Sequence, residues 1–229
     1  FIDDGIKEII EKLEELDLKD NTIIVFTSDH GDFMGEHGMF VKGGVFYDCL
    51  VKVPLIIAWN NGDFDQGVKE KSVVSTIDII PTLLQLQGIG NFNDTGIGWK
   101  KNNESKKYIL SEDDIRNFQG HLLPAITKNK GKNIAFSEYG AGGPKFQFED
   151  FKAFTPTHGY RTLLETLWAR EAEGRRKMVR TEKWKYITDS TGDIDELYDL
   201  EKDPWELKNL SKNNAHKETI LKMKEFLLN

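Results

Sequence analysis

A short apolar run that stops at a cluster of ionisable side chains places the strongest restriction on how this chain can fold. Residues 22–26 read T-I-I-V-F and are β-branched or apolar on both faces, a pattern typical of a strand buried on both sides in an α/β sheet. In the preceding residues 6–16, Ile and Leu recur at helical spacing with Lys and Glu between them. Since a helix followed by a buried strand is half of a βαβ unit, the sequence predicts an α/β fold here.

Three further segments complete the pattern of the first part of the chain. Residues 53–59 form a second apolar run, which predicts another strand of the same sheet. Residues 75–88 predict a helix that has Asp78 as its N-cap and Gly88 at its C-terminal end. Residues 91–107 are polar and rich in Gly and Asn, which predicts a loop or an insertion.

The last third of the chain has the pattern of an antiparallel sheet with a closing helix. Residues 134–139 predict one strand, and residues 177–187 and 195–200 predict two more that a polar turn joins. Residues 203–206, D-P-W-E, have the order of an N-cap, an N1 proline and an N3 glutamate, which predicts a helix start. Apolar side chains at helical spacing predict the closing helix: Ile220, Met223, Phe226 and Leu227.

We therefore expect two parts in this chain of 229 residues. Residues 1–130 are predicted to be a portion of an α/β domain whose sheet is flanked by helices. Residues 131–229 are predicted to be a small C-terminal α+β subdomain, with an antiparallel sheet and the closing helix against it.

The charge pattern argues against two classes of partner. The net charge is −7 and Lys and Arg are mixed with Glu along the chain, so the sequence does not predict a nucleic-acid-binding surface. It also has no apolar run of the length that spans a bilayer.

The first residue and the cysteine content leave the compartment open. Cys49 is the only cysteine, so an internal disulfide cannot form. The chain starts with Phe1 rather than Met and runs straight into a helical pattern, so we expect an internal cut and draw nothing from the missing signal peptide. A periplasmic or secreted location is expected if the whole protein carries a signal peptide, and a cytoplasmic one otherwise.

The ionisable cluster after the first strand has the composition of a metal and anion site. Asp29 and His30 follow the strand, at the end of an α/β sheet where ligands bind. Asp supplies an oxygen ligand and His a nitrogen ligand, while Gly31 allows the backbone to turn sharply past them. Lys42 lies on the same connecting segment and could return to the site as a fixed cation. A metal together with a lysine suits the binding of an oxyanion.

Four blocks of sequence occur in a fixed order along the chain. They are T-S-D-H-G-D-F-M-G-E-H-G-M-F-V-K with the following V-P-L-I-I, then S-T-I-D-I-I-P-T-L-L, M-V-R-T-E-K-W-K-Y and E-L-Y-D-L-E-K-D-P. In this order the blocks resemble the sulfatases of the alkaline phosphatase superfamily, over most of the chain except residues 91–174.

The resemblance implies a fold, an activity and the roles of three residues. Asp29 and His30 match the second pair of metal ligands, and Lys42 matches the lysine that holds the sulfate group. The metal of the family is usually calcium, although the His ligand leaves manganese, magnesium and zinc open. Members hydrolyse sulfate esters: the metal polarises the sulfuryl oxygens while a formylglycine hydrate, made from Cys or Ser, attacks sulfur.

The chain departs from the family pattern in lacking its nucleophile. The family's C/S-x-P/A-x-R motif and the first pair of acidic ligands are absent, and Cys49 is followed by L-V-K-V. The resemblance therefore implies that this is the C-terminal part of a sulfatase, that it holds half a site, and that it is inactive without the N-terminal half of the same protein.

Other residues have two interpretations each. His37 is a candidate for binding substrate, with a structural hydrogen-bonding role in the loop as the favoured alternative. The glycine-rich run G-A-G-G at 140–143 lacks the ending of a phosphate loop and predicts a flexible connection. Four basic side chains could reach an anionic sugar or pair with glutamates 165, 171 and 173: His158, Arg161, Arg175 and Arg176. Three aromatic side chains are expected in the core of the small sheet: Trp184, Tyr186 and Tyr198.

Three functions are compatible with these observations. The first is a sulfuric ester hydrolase, for which a sulfated carbohydrate is favoured over a small aryl sulfate. The second is a phosphodiesterase or phosphonate monoester hydrolase on the same scaffold, because both kinds of tetrahedral oxyanion suit a metal and a lysine. The third is a non-catalytic binding module. The coding sequence upstream would distinguish them by the nucleophile motif that it contains.

Overall fold

The computed structural model describes residues 1–88, 118–127, 133–140, 175–189 and 195–228. The chain divides into two compact units, each made of two stretches of sequence. The first unit is Phe1–Asp29 with Val53–Asn133, and the second unit is His30–Lys52 with Ile134–Asn229. The domain boundary predicted at residue 131 stays a prediction, and the structure adds that residues 30–52 belong to the second unit.

The described residues contain helices and strands in both units. The α-helices are α1 (Ile2–Glu15), α2 (Asp48–Val51), α3 (Ile79–Leu86), α4 (Pro124–Thr127) and α5 (Lys217–Leu228). The strands are β1 (Ile24–Thr27), β2 (Leu55–Ala58), β3 (Ile134–Tyr139), β4 (Arg176–Thr181), β5 (Trp184–Asp189) and β6 (Glu196–Asp199).

The sheet of the first unit differs from the prediction in its burial. Strands β1 and β2 pair antiparallel, with Phe26 opposite Ile56, and both lie where the apolar runs predict them. The expectation that they are buried on both faces is wrong: β1 is only partly buried and Ile56 is 59% exposed. Among the described residues this sheet has two strands, so neither strand has neighbours on both sides, and α1 likewise buries none of its side chains.

The predicted helix over residues 75–88 is confirmed, but its start is built differently. A 3₁₀ turn, Thr76–Asp78, precedes α3, and Gly88 follows the helix with a φ of 71°. The Asp78 carboxylate does not cap α3. It accepts the backbone N–H of Ser75 at 2.8 Å and that of His121 at 2.7 Å, so it joins the turn to a distant segment of the same unit.

The sheet of the second unit is antiparallel throughout, in the order β3-β4-β5-β6. Strand β3 lies at the predicted residues, but the single strand predicted over residues 177–187 is wrong, because the chain reverses between β4 and β5. Thr181 makes this reversal with its hydroxyl, which accepts the N–H of Trp184 at 3.0 Å. Thr therefore acts here as a turn residue between two strands, a role that its β propensity conceals.

The second unit has a core on each face of this sheet. On one face Val179, Tyr186 and Leu197 pack against Met223 of α5, which confirms the closing helix. On the other face the buried cluster consists of Phe46, Met178, Ile187 and Tyr198. Because successive side chains of a strand point to opposite faces, the sheet holds α5 on one side and the segment His30–Lys52 on the other.

The helix start predicted at residues 203–206 is wrong. The chain makes turns there, and the Asp203 carboxylate accepts the N–H groups of Leu207 at 3.1 Å and Lys208 at 2.8 Å. Glu206 takes a φ of 57° and is only 3% exposed. The turn thus directs the Glu206 side chain inward instead of leaving it at a helix surface.

A buried ionic cluster fixes the segment His30–Lys52 to the sheet; we call its members Asp48, Arg180, Lys185 and Glu206 the anchor cluster. The Lys185 ammonium is fully buried and lies 2.5 Å from a carboxylate oxygen of Asp48 and 2.5 Å from one of Glu206. It also donates to the Phe46 carbonyl at 2.8 Å.

The two carboxyls of the anchor cluster respond differently to burial. Burial is the largest single effect on the pKa of Asp48 and would raise it. The charges and hydrogen bonds of Lys185 and Arg180 together outweigh burial, so the pKa of Asp48 lies below its ordinary value. Burial dominates at Glu206 and raises its pKa. The cluster therefore depends on a single buried ammonium shared by two carboxyls.

We expect the substitution Lys185→Met to lower the free energy of unfolding of this chain by about 3–5 kcal/mol, because the buried Glu206 would lose its cation and Asp48 would keep only its longer contacts with Arg180 and Lys52. Urea unfolding followed by tryptophan fluorescence measures the change. Lys183→Met is the matched control: Lys183 lies beside the same strand and pairs with Glu201 at 2.6 Å, but both side chains are exposed, so it should have little effect. Equal losses for the two variants would contradict the role of the anchor cluster.

Candidate functional site

The two residues of the predicted metal pair are adjacent in the sequence but belong to different units. Asp29 is the last residue of the stretch Phe1–Asp29 and His30 is the first residue of His30–Lys52. Asp29 is exposed, and the Ser28 hydroxyl donates to its carboxylate at 3.4 Å. His30 is partly buried and begins the segment that the anchor cluster holds.

The partners of the His30 ring fix its tautomer. Nδ1 lies 2.7 Å from the Gly31 carbonyl oxygen, and Nε2 lies 2.7 Å from the ammonium of Lys42. A carbonyl can only accept and an ammonium can only donate, so Nδ1 carries the proton and Nε2 presents a lone pair. This is the tautomer in which a histidine can ligate a metal through Nε2 while its other nitrogen donates to the backbone. Here the Nε2 lone pair accepts from Lys42, so a metal ion at Nε2 would have to replace that ammonium.

Lys42 returns to His30 although twelve positions separate them in the sequence. The lysine is exposed, so its ammonium is open to solvent as well as to the imidazole. Its place on the connecting segment predicts that Lys42 returns to the site, and the structure places the ammonium against His30. Its role in holding an anion stays a prediction.

Gly31 has a different function from the one the sequence suggests. A Cβ atom at this position would lie 1.8 Å from the carbonyl oxygen of Cys49, and the Gly31 N–H donates to the Leu50 carbonyl at 2.8 Å. The glycine is therefore required because two backbone segments pass in contact, rather than because the chain needs a special turn. This contact fixes the residue that follows His30 against the start of α2.

The His37 ring contacts an aromatic side chain, and its predicted roles in binding substrate or in hydrogen bonding stay predictions. Its imidazole stacks on the ring of Tyr47, with centroids 3.8 Å apart and an angle of 17° between the planes. Its φ of 53° lies in the left-handed region. In the same loop the Asp32 carboxylate accepts the Met34 N–H at 2.9 Å.

The donors that the chain offers fit one part of a metal site. Asp29 supplies a carboxylate and His30 a nitrogen in the ligating tautomer, as the family pattern requires. Within the part of the chain that the structure describes, no group of three or more His, Cys, Asp or Glu side chains could hold a metal ion. The two residues would thus need further ligands to complete a coordination shell.

The structure also tests the remaining expectations for the second unit. Arg176 pairs with Asp189 at 3.0 Å and donates to the Gly44 carbonyl at 3.1 Å, so it is a structural residue. Tyr186 and Tyr198 are buried as predicted, and Trp184 is partly buried. Several predicted features lie outside the described residues: the loop at 91–107, glycines 142 and 143, His158, Arg161 and glutamates 165, 171 and 173.

Two groups of residues were missed by sequence reasoning. The anchor cluster joins side chains from four separated places in the sequence, so only Lys185, a charge between Trp184 and Tyr186 in an apolar strand, gives a local signal of it. Tyr47 was not singled out because a single aromatic residue in a loop carries no pattern.

The helices of the described residues include none with the length and apolar character of a membrane span.

Comparison with known proteins identifies relatives along the whole chain. The family model described as Sulfatase matches residues 1–89. The uncharacterised sulfatase YidJ of Escherichia coli K12 is 27% identical over 228 residues, which cover 100% of this chain and 35% of the relative. An N-acetylglucosamine-6-O-sulfatase of Bacteroides thetaiotaomicron is 28% identical over 211 residues, 91% of this chain and 30% of the relative. This chain spans about a third of the length of these relatives.

Solved structures share the fold. A phosphonate monoester hydrolase of Agrobacterium radiobacter superimposes with a TM-score of 0.66 at 25% identity, over 99% of this chain and 38% of that one. A 2-O GAG sulfatase superimposes with a TM-score of 0.64 at 24% identity, over 99% of this chain and 39% of that one. The described helices and sheets are thus part of an alkaline-phosphatase-like α/β fold with a small C-terminal α+β subdomain.

The resemblance seen in the four ordered blocks is confirmed by these findings. The family pattern covers the segment with Asp29, His30 and Lys42, and the similarity to sulfatases continues to the end of the chain. The chain is therefore similar to the sulfatases of the alkaline phosphatase superfamily, by the family model over residues 1–89 and by its relatives over the whole of its length.

Proposed function

We propose that the protein containing this chain is a metal-dependent sulfuric ester hydrolase that acts on a sulfated carbohydrate. The observation that carries the proposal is the contact of 2.7 Å between the Lys42 ammonium and the unprotonated Nε2 of His30. This contact brings the candidate anion-binding cation and the candidate ligating nitrogen together within one segment of the chain, and a metal ion bound at Nε2 would replace the ammonium there. The relative that acts on N-acetylglucosamine 6-O-sulfate by name supports the substrate class.

Lys42 is suited to bind the sulfuryl group because of its exposure and its support. Its ammonium is open to solvent on one side and rests against His30 on the other. A sulfuryl group that transfers between oxygens carries negative charge on its nonbridging oxygens, and a fixed cation beside them stabilises the transition state. Lys42 would supply that charge without any proton transfer.

Asp29 and His30 are the residues that would hold a metal ion. A divalent cation at this place would polarise the sulfuryl oxygens. The chain contributes the orientation of the His30 ring, since the Gly31 carbonyl holds Nδ1–H and thereby presents Nε2 as the ligand. We propose calcium as in the family at large, with manganese, magnesium and zinc as alternatives for a site that includes a histidine.

The nucleophile is proposed to be a formylglycine outside these 229 residues. Cys49 does not suit this role, because its flanking sequence lacks the motif and because burial raises the pKa of its thiol. A thiol with a raised pKa is a poor nucleophile. The chain would therefore act together with the N-terminal half of the same protein.

A second candidate function is the hydrolysis of phosphonate monoesters. The structural similarity to the phosphonate monoester hydrolase, with a TM-score of 0.66, is as strong as that to the sulfatase. A metal and a lysine suit the tetrahedral oxyanions of both reactions. Assaying one enzyme preparation on an aryl sulfate, a sulfated glucosamine and an aryl phosphonate monoester separates the two candidates by the ratio of their kcat/KM values.

We expect Lys42→Ala, in the protein extended by its upstream coding sequence, to lower turnover about a hundred- to a thousandfold, because one electrostatic donor is lost from the transition state. Lys42→Arg should recover only part of the activity, since a planar guanidinium cannot replace a compact ammonium. Lys52→Ala, which removes an exposed lysine of the same segment, is the control and should retain activity. Wild-type turnover in Lys42→Ala would refute the role of Lys42.

The amount of metal bound by variants should distinguish the residues that ligate the metal from Lys42, which does not. We expect Asp29→Ala to lower the metal bound per protein molecule, measured by plasma emission spectrometry after dialysis, because a carboxylate ligand is removed. Lys42→Ala should leave the metal content unchanged, since an ammonium is no ligand. Equal metal content in wild type and Asp29→Ala would show that Asp29 lies outside the metal site.

This chain, expressed alone, should not turn over an aryl sulfate above the level of its own Lys42→Ala variant, because the nucleophile motif is absent from its sequence. A continuous assay of the released phenol measures the rate. Robust turnover by the chain alone would require a nucleophile within these 229 residues.

A further inference from the structure

The loop that leads to Lys42 is held at its base by two pairs of backbone groups. The N–H of Phe33 donates to the Val41 carbonyl at 3.0 Å, and that of Gly35 donates to the Met39 carbonyl at 2.9 Å. Lys42 follows Val41 directly, so the last residue of this loop sets where the lysine starts. We call residues 33–41 the lysine loop.

The lysine loop has a backbone that needs support from outside. Met34, His37 and Val41 have φ values of 48°, 53° and 68°, a left-handed conformation that side-chain-bearing residues seldom adopt, least of all a β-branched one. Such conformations persist where surrounding contacts hold them. Met34 and Val41 are 82% and 62% exposed, so their own side chains supply little of this support.

Tyr47 supplies this support at both ends of the lysine loop. Its ring stacks on His37 at the tip, with centroids 3.8 Å apart, and meets the ring of Phe33 at the base edge-on, with centroids 6.3 Å apart. Phe33 is only 2% exposed. One aromatic ring thus contacts the buried start of the loop and its partly buried tip.

Tyr47 is itself held by the sheet of the second unit. It directly precedes Asp48, which the anchor cluster fixes through Lys185. Its ring lies 6.1 Å from that of Tyr198, whose hydroxyl donates to a carboxylate oxygen of Glu196 at 2.7 Å. Burial also raises the pKa of Tyr47, so the ring keeps its neutral hydroxyl. The contacts run from the sheet through Tyr47 to the lysine loop.

We infer that Tyr47 is a positioning residue, which orders the lysine loop through its stack on His37 and thereby limits the positions open to the Lys42 ammonium. The inference rests on the function proposed for Lys42. In this inference His37 affects the reaction indirectly, because its ring contact with Tyr47 holds the lysine loop in place. A ring at position 47 is the requirement, and the hydroxyl is secondary.

The stack can be tested in this chain without any activity. The His37 ring protons should resonate upfield in the proton NMR spectrum, because they lie over the face of Tyr47. Tyr47→Leu should move them to the positions of an unstacked histidine, whereas Tyr47→Phe should leave them upfield. The His30 ring protons serve as the internal reference and should stay unchanged. An unaltered His37 spectrum in Tyr47→Leu would overturn the inference.

Kinetics of the extended protein test the consequence for Lys42. Tyr47→Leu and His37→Ala should each lower kcat/KM about ten- to a hundredfold, the scale of a small misplacement of a catalytic group, and Tyr47→Phe should recover most of the loss. The double variant Tyr47→Leu with His37→Ala should be no worse than either single variant, because both remove the same contact. Independent, multiplying losses would overturn the inference.

Turnover of the Lys42→Ala variant shows whether a negative result refutes the inference about Tyr47 or the proposed function itself. If Lys42→Ala abolishes turnover while Tyr47→Leu behaves as wild type, the proposed function stands and the inference about Tyr47 is wrong. If Lys42→Ala is silent, the proposed function fails and the kinetic part of the inference falls with it.

Discussion

The buried ammonium of Lys185 is the interaction on which the arrangement of the second unit depends. A lysine that is removed from water needs acceptors of opposite charge, and Asp48 and Glu206 provide them at 2.5 Å each. Asp48 belongs to the segment His30–Lys52, Lys185 to β5 and Glu206 to the turn after β6. Three stretches that are far apart in sequence are therefore fixed to one point, and the segment that carries His30 and Lys42 ends beside that point.

The sequence predicts regular elements well where one segment contains its whole pattern. The helix α5 follows from apolar side chains at helical spacing, and β3 from a bounded apolar run. The errors arise where a local pattern is outweighed by distant contacts. Residues 203–206 have every feature of a helix start, yet Glu206 turns inward because Lys185 draws it into the core. Burial of β1 could not be judged either, since it depends on which strands lie beside it.

The candidate site shows the same division. Asp29, His30 and Lys42 are visible in the sequence because their residue types match a chemistry and a family pattern. The sequence does not show which atoms carry protons or which partners each side chain contacts. The tautomer of His30 follows from two contacts, the Gly31 carbonyl and the Lys42 ammonium, and neither contact can be read from the spacing of the residues. The role of Tyr47 cannot be read from the sequence either, because it consists of ring contacts with Phe33 and His37.

The close passage of Gly31 along the backbone of Cys49 has a consequence for how substitution patterns in this family should be interpreted. A side chain at position 31 has no room, since its first carbon would lie 1.8 Å from a carbonyl oxygen. Selection would therefore keep a glycine there as strictly as it keeps a ligand, although glycine brings no functional group to the reaction. A position beside His30 that accepts only glycine can thus reflect the contact between two backbone segments. Ranking positions only by how many substitutions they accept would mistake this steric limit for a role in the reaction.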